Sequence, residues 1–212
     1  MSSAVLIDYG SGNLPSAEKA LKRAAADLNT PMSVKVASDP QSVAAADRLI
    51  LPGVGAFAAC MAALSARDGL IEALVEAVTV RGRPFLGVCV GMQLLADRGL
   101  EFGSTQGLGW IAGTVERLRP AVPAAKVPHV GWNDLQLETP SPLFPSPPAP
   151  VYFTHSFAFA PVNPAHVIAS VDHGGRFAAA VAKDNIAGVQ FHPEKSQAEG
   201  LAFLNRFLAW RP

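Results

Sequence analysis

Pro84-Phe85-Leu86-Gly87-Val88-Cys89-Val90-Gly91-Met92-Gln93-Leu94-Leu95 begins as an apolar run of buried-strand type and ends at helical spacing, with Cys89 at the changeover. Glycines stand two residues before and two after the cysteine. That is the G-x-nucleophile-x-G pattern of a strained strand-to-helix elbow, in which small neighbours let the turn tighten and leave one side chain presented. A thiol at such a turn sits at a helix N-terminus, whose partial positive charge favours the thiolate. The backbone N–H of Val90, next along, is placed to donate to an oxyanion. A small buried core cysteine is the bland alternative. An ordinary core strand gains nothing from two glycines, which argues for the elbow.

Working outward, the chain before the elbow repeats one pattern. Ala4–Asp8 is an apolar strand that runs into Gly10-Ser11-Gly12-Asn13. Pro15 takes the third glycine position of a dinucleotide fingerprint, which excludes that motif. Ser16 is the expected N-cap of a helix carrying Ala17, Ala20, Leu21, Ala24 and Leu28. Ser33–Ala37 reads as a second strand, and Asp39-Pro40 opens a short helix to Ala46. Arg48–Leu51 is a third strand, ending in Pro52-Gly53-Val54-Gly55, and a long helix from about Phe57 to Val80 breaks near Gly69. Strands alternating with helices predict an α/β fold with a parallel, doubly wound sheet. Ligands of such sheets bind beyond the carboxyl ends of the strands, where both glycine loops and Cys89 fall.

The second half changes character. Gly113–Leu118, Val151–Ala160, Val167–Val171, Phe177–Ala182 and Ile186–Phe191 are short β-rich runs between turn signals, expected as antiparallel or mixed strands added to the sheet. Thr139–Pro150 holds six prolines and reads as an extended surface loop. An amphipathic helix from about Ala198 to Trp210 closes the chain. Length and pattern predict one domain over residues 1–212.

Bulk composition narrows the function. Lys+Arg and Asp+Glu both number 17, so no net charge calls for nucleic acid or an anionic membrane. There is no apolar run long enough to span a bilayer and no leader pattern. Two cysteines, Cys60 and Cys89, make no disulfide framework and suit a reducing, cytoplasmic setting. Cys60 sits on an apolar helical face with Met61 and Leu64 and reads as core. No P-loop and no zinc-type spacing appears, so neither cofactor nor metal is expected.

Cys89 needs a base. Of the five histidines, only His192 follows an apolar strand directly and has a carboxylate two residues on, in Gln190-Phe191-His192-Pro193-Glu194. Such a carboxylate can hold the imidazole in one tautomer, the third-member role of a nucleophile–base–orienter triad. An elbow cysteine followed about a hundred residues later by strand–His-Pro-Glu resembles the class I, triad-type glutamine amidotransferases. Asp8–Leu14, Leu51–Gly55, Lys126-Val127-Pro128-His129-Val130-Gly131-Trp132-Asn133, Tyr152–Ser156 and Gln190–Ser196 sharpen the likeness. Together they are similar to the glutaminase subunits of imidazole glycerol phosphate synthases, the Lys126–Asn133 block being the most specific.

The resemblance implies a single-domain, flavodoxin-like amidotransferase fold, with a parallel central sheet and helices on both faces. It implies that Cys89 attacks the glutamine carboxamide, His192 shuttles the proton and Glu194 orients His192. Val90 N–H would supply half of the oxyanion hole. The Gly53-Val54 peptide would supply the other half after reorienting, a flip that glycines on either side of Val54 make cheap. Gly55, Gln93, Glu101, His155, Ser156 and Phe157 match the glutamine pocket, with Glu101 facing the substrate ammonium. Phe157 stands where the family commonly has tyrosine, which removes a hydroxyl there.

The implied partner is a (β/α)₈ cyclase subunit, forming a heterodimer and taking ammonia for histidine biosynthesis. Asn13, Ser16, Trp132, Tyr152 and Lys195 match its interface. Trp132 could instead plug the core, although aromatic anchors are also enriched at interfaces. Rival readings are a glutaminase for another synthase, such as that of pyridoxal phosphate, a cysteine peptidase, and a non-catalytic scaffold. A peptidase has no evident use for the Pro52–Gly55 loop or the Lys126–Asn133 block, and a scaffold would be expected to lose a triad residue.

Overall fold

The structure, a computed structural model, describes residues 2–144 and 149–212. Its first half runs Ser2–Ile7 (β1), Leu14–Ala26 (α1), Met32–Ala37 (β2), Pro40–Ala45 (α2), Arg48–Leu51 (β3), Phe57–Ser65 (α3), Leu70–Val75 (α4), Phe85–Val88 (β4) and Val90–Gln93 (α5). Short strands Arg98–Gly99 (β5), Thr105–Gln106 (β6), Gly113–Arg117 (β7), His129–Asn133 (β8) and Leu135–Leu137 (β9) follow. Val151–His155 (β10), Phe157–Pro161 (β11), Val167–Asp172 (β12), Arg176–Lys183 (β13), Ile186–Val189 (β14) and Gln197–Ala209 (α6) complete it.

Eight strands make the central sheet in the order β2-β1-β3-β4-β14-β13-β12-β9. The first five are parallel and the last three antiparallel, the mixed extension that the sequence predicts. Strand order reverses at β1, and right-handed crossovers then put α1 on one face and α2 to α4 on the other. The last helix, α6, packs beside α1. β1, β3, β4 and β14 are apolar on both faces and buried, as parallel strands between two helical layers must be.

Local chemistry explains most boundaries. Asp39 caps α2 by accepting the Ser42 N–H at 2.7 Å, with Pro40 in the first turn. The predicted long helix is broken: α3 stops at Ser65, and Gly69, with φ of +74°, is the residue from which α4 starts and continues as a π-helical turn over Glu76–Val80. Ser16 is not the cap of α1. The chain is already helical at Leu14, because the fixed φ of Pro15 suits a first turn and pulls the start forward to Asn13.

The run Val151–Ala160 is two strands, not one. It breaks at Ser156, so that β10 pairs with β8 while β11 pairs with β7 in a separate four-stranded sheet with β5 and β6. The proline-rich segment is only partly a surface loop. Leu143 and Phe144 are buried, with Phe144 stacked on Phe203 of α6 at 5.2 Å. The part of it that spans 145–148 lies outside the described residues.

Candidate active site

The elbow forms as the glycine spacing demands. Cys89 has φ +54° and ψ −112°, a conformation that L-residues avoid and that aims the side chain out of the turn. The glycines let the backbones close: a Cβ on Gly87 would strike the Gly91 carbonyl, and one on Gly91 the Leu51 carbonyl. Parallel pairing of β4 with β14 sets the rest. Val88 pairs with Val189 and Cys89 N–H donates to the Val189 carbonyl at 2.8 Å, which brings Gln190 and His192 alongside the thiol.

His192 begins a one-turn 3-10 segment, Pro193–Lys195, that returns Glu194 to the ring. Its Nδ1–H donates to Glu194 Oε1 at 2.9 Å, and both side chains are more than nine-tenths buried. Burial alone lowers the basicity of the imidazole. The hydrogen bonds and negative charge of Cys89 and Glu194 outweigh it and push the pKa up to about 9. His192 is therefore poised as an imidazolium beside the Cys89 sulfur. Ser196 fastens this turn by donating to the His192 carbonyl at 2.7 Å and accepting the Tyr152 N–H at 3.0 Å.

The loop after β3 stands in a closed arrangement. Val90 N–H donates to the Gly53 carbonyl at 3.4 Å, so this donor is already engaged within the chain. Val54 N–H points the other way and donates to Ser11 Oγ at 3.1 Å, and Ser11 donates back to the Val54 carbonyl at 2.9 Å. Cys60 is core, as expected, yet its thiol also reaches Ser11 Oγ at 3.3 Å and the Val54 carbonyl at 3.4 Å. Tyr9 donates to the Pro52 carbonyl at 2.7 Å, and burial raises its phenol well above the ordinary range.

A cleft of about 290 Å³ opens in front of the thiol. Gly55, Gln93, Glu101, His155, Ser156 and Phe157 all line it with Cys89, Val90, Val54 and His192, so the structure brings these sequence-predicted residues together. Glu101 accepts the Phe57 N–H at 2.9 Å, which fixes its carboxylate at the start of α3. The polar atom that Phe157 contributes is its backbone carbonyl, which accepts from Gln93 Nε2 at 3.0 Å and from His155 at 2.9 Å. The missing tyrosine hydroxyl is no part of these bonds.

Behind the cleft lies a chain of neutral imidazoles. His155 must carry its proton on Nδ1 to donate to Phe157, so its Nε2 accepts from His129 Nδ1 at 3.0 Å. His129 Nε2 then accepts from Asn133 Nδ2 at 3.3 Å, and each tautomer follows from the last. Burial lowers both pKa values to about 4, with the neighbouring imidazoles adding to it. His173 stacks on His129 at 4.0 Å.

Of the residues matched to an interface, Asn13, Trp132 and Lys195 are exposed and Ser16 and Tyr152 half-buried, and Lys195 lines the cleft. Trp132 keeps 47% of its surface in solvent, which overturns the core-plug reading; it stands edge-on to Tyr152 at 5.9 Å. Lys195 Nζ lies 5.8 Å over the Tyr152 ring. Val54 and Val130 are also exposed apolar residues.

Ser11, Gln190, Ser196, Pro128 and Thr154 are neighbours of the thiol, its loop or its cleft that the sequence did not mark out individually. Gln190 carried one signal, a polar residue at the end of a fully apolar strand. Among the described residues no cluster of three or more His, Cys, Asp or Glu could hold a metal ion, and no helix is long and apolar enough to cross a membrane.

Residues 5–209 match the family of class-I glutamine amidotransferases. The chain is 54% identical to imidazole glycerol phosphate synthase subunit HisH of Rhodospirillum rubrum, over 98% of each chain. It is 56% identical to the HisH subunit of Caulobacter vibrioides over the whole of both. Among solved structures it is similar to a glutamine amidotransferase at TM-score 0.69 and 19% identity, covering 97% of each chain. One from Thermotoga maritima gives TM-score 0.58 at 16% identity, over 91% of this chain and 76% of that one. Likeness at such identity concerns the fold.

Proposed function

The chain belongs to the class-I glutamine amidotransferases, and from that premise we propose that it is the glutaminase subunit of an imidazole glycerol phosphate synthase. It hydrolyses L-glutamine to glutamate and supplies ammonia to a cyclase in histidine biosynthesis. The observation that carries the reading is Cys89 on a strained elbow, facing an imidazolium that a buried carboxylate holds.

Cys89 Sγ attacks the carboxamide carbon, and the electron pair of the C=O bond moves to oxygen. His192 gives its proton to the leaving nitrogen, the pair on oxygen re-forms the C=O bond as the C–N bond breaks, and ammonia departs, leaving a thioester. His192 then takes a proton from water as the water attacks the thioester, the C–S bond breaks, and glutamate is released with the thiolate–imidazolium pair restored. Glu101, held at the start of α3, faces the ammonium of the substrate, while Gly55, Gln93, His155, Ser156 and Phe157 form the walls.

The oxyanion is received by Val90 N–H together with Val54 N–H once the Gly53-Val54 peptide turns over. In the closed arrangement a carbonyl would oppose the oxyanion, so turnover awaits that rotation. The partner is a (β/α)₈ cyclase subunit in a heterodimer that meets Asn13, Ser16, Trp132, Tyr152 and Lys195. Exposure of Trp132 beside Tyr152 supports that face. Residues 1–212 act as one amidotransferase domain, which the match over 5–209 supports. The compartment is the cytoplasm, in keeping with two free buried thiols.

Glutamate release by the chain alone, and with a cyclase subunit and its nucleotide ligand, tests the proposal. A steep rise only with the liganded partner, lost in Cys89→Ala, is the expected result. No hydrolysis under any condition would overturn the assignment to this synthase.

A further inference from the structure

Gln190 is wholly buried at the end of β14, one position beyond the Val189–Val88 pair, and its backbone N–H donates to the Ala179 carbonyl at 2.8 Å. Its side chain lies between two others. Gln93 Nε2 donates to Gln190 Oε1 at 2.9 Å, and Gln190 Nε2 in turn donates to Cys89 Sγ at 3.6 Å.

The direction of this chain is not arbitrary. The second hydrogen of Gln93 Nε2 goes to the Phe157 carbonyl, an atom that can only accept. Gln93 therefore presents nitrogen to Gln190, and Gln190 must answer with its oxygen. Its own nitrogen is left on the side of the sulfur. Turning either amide over would set donor against donor or acceptor against acceptor in a water-free place.

A neutral thiol is a poor acceptor for a buried amide, whereas a thiolate is a strong one. We propose that Gln190 is a further catalytic residue whose amide hydrogen-bonds the Cys89 sulfur and stabilises its thiolate, with Gln93 as the positioning residue that fixes the orientation of that amide. This rests on Cys89 being the nucleophile. The other titratable groups around the sulfur are His192, backed by Glu194, and the Tyr9 phenol, with His155, Glu101 and Lys195 lining the same cleft. Gln190 is thus a neutral donor among ionisable groups, and it supports the thiolate irrespective of the protonation of His192.

The test reads the thiol directly. The rate of Cys89 alkylation by iodoacetamide is followed against pH, by mass spectrometry of the Cys89 peptide, in the native chain, Gln190→Met and Gln190→Glu. Both variants nearly keep the side-chain volume. Gln190→Met loses the donor, so its alkylation profile moves up by on the order of one pH unit. Gln190→Glu sets a carboxylate beside the sulfur and moves it further. In the complex with the cyclase, kcat/KM falls about tenfold in Gln190→Met, mostly in kcat, and its acid limb moves with the alkylation profile.

Folded variants with an unmoved profile would overturn the inference, even if activity fell. Should both variants fail to fold, the unaltered chain decides. The Gln190 side-chain amide resonances must then titrate with the same midpoint as Cys89 alkylation, and a midpoint elsewhere overturns the inference. Cys89→Ala with full glutaminase activity would instead bring down the proposed function.

Discussion

The carbonyl of Gly53 faces the N–H of Val90 at 3.4 Å, so the donor best placed for an oxyanion is already engaged within the chain. The N–H of the same peptide unit is held from its far side by Ser11 Oγ, which also donates to the carbonyl of the next peptide, that of Val54. The chain thus holds Cys89 and His192 assembled while the Val90 N–H is closed off.

If Ser11 holds that closed arrangement, removing its hydroxyl favours rotation. Each lost hydrogen bond is worth about 1 kcal/mol, so Ser11→Ala should raise partner-free glutamate release by roughly three- to tenfold. Activity with the liganded cyclase should change little. The check is steady-state glutaminase rate with and without the partner, and an unchanged or lower basal rate counts against Ser11 as the latch.

Cys89→Ala should lower glutamate release by about a thousandfold or more. It should also act on the base. With the sulfur gone, burial is opposed only by Glu194, so the His192 pKa falls below about 9. A histidine-edited NMR titration of the variant measures this, and an unmoved imidazole would contradict the coupling.

Stability should depend on the neutral histidine chain. His129 and His155 titrate near 4 in the folded chain against 6.5 when unfolded, so below pH 6.5 the unfolded state binds more protons. The stability they allow is complete above 6.5 and drains as pH falls toward 4. Two protons give a slope of up to about 2.7 kcal/mol per pH unit in that window. Urea melts at successive pH values should show it, and His129→Gln should flatten the slope.

Trp132→Ala should leave the melting temperature of the isolated chain nearly unchanged, since the ring is half in solvent. Affinity for the cyclase should fall about tenfold to a hundredfold, the usual loss at an aromatic anchor. Calorimetric titration of the two subunits separates the outcomes. Equal binding by the variant would remove Trp132 from the interface.

Legibility varied with the kind of signal each segment carried. β1, β3 and β4 could be read because glycine and proline punctuate apolar strands buried between two helical layers. The placing of Cys89 by His192 and Glu194 was readable because an elbow requires glycines at fixed offsets and a histidine and a carboxylate follow one apolar strand. Pairing choices were harder. Nothing local in Val151–Ala160 says that the chain changes sheets at Ser156, since both halves are apolar and only their partners β8 and β7 differ. Two-residue strands such as β5 and β6 are too short to show a period. Trp132 gave two readings because burial depends on neighbours far away in sequence. Gln190 showed only as the polar end of an apolar strand, a signal that says nothing of which side chains it meets.

The slot that β14 fills has a consequence for assembly. β14 lies between β4 and β13, so neither the nucleophile strand nor the antiparallel extension is complete until it is inserted. Its residues are synthesised about a hundred positions after Cys89, which makes this one of the most non-local pairings of the chain. A nascent chain cannot carry a working thiol–imidazole pair before its sheet is nearly finished. Competence in hydrolysis is therefore also a report that the fold is complete, and a reactive cysteine is never assembled on a half-made protein.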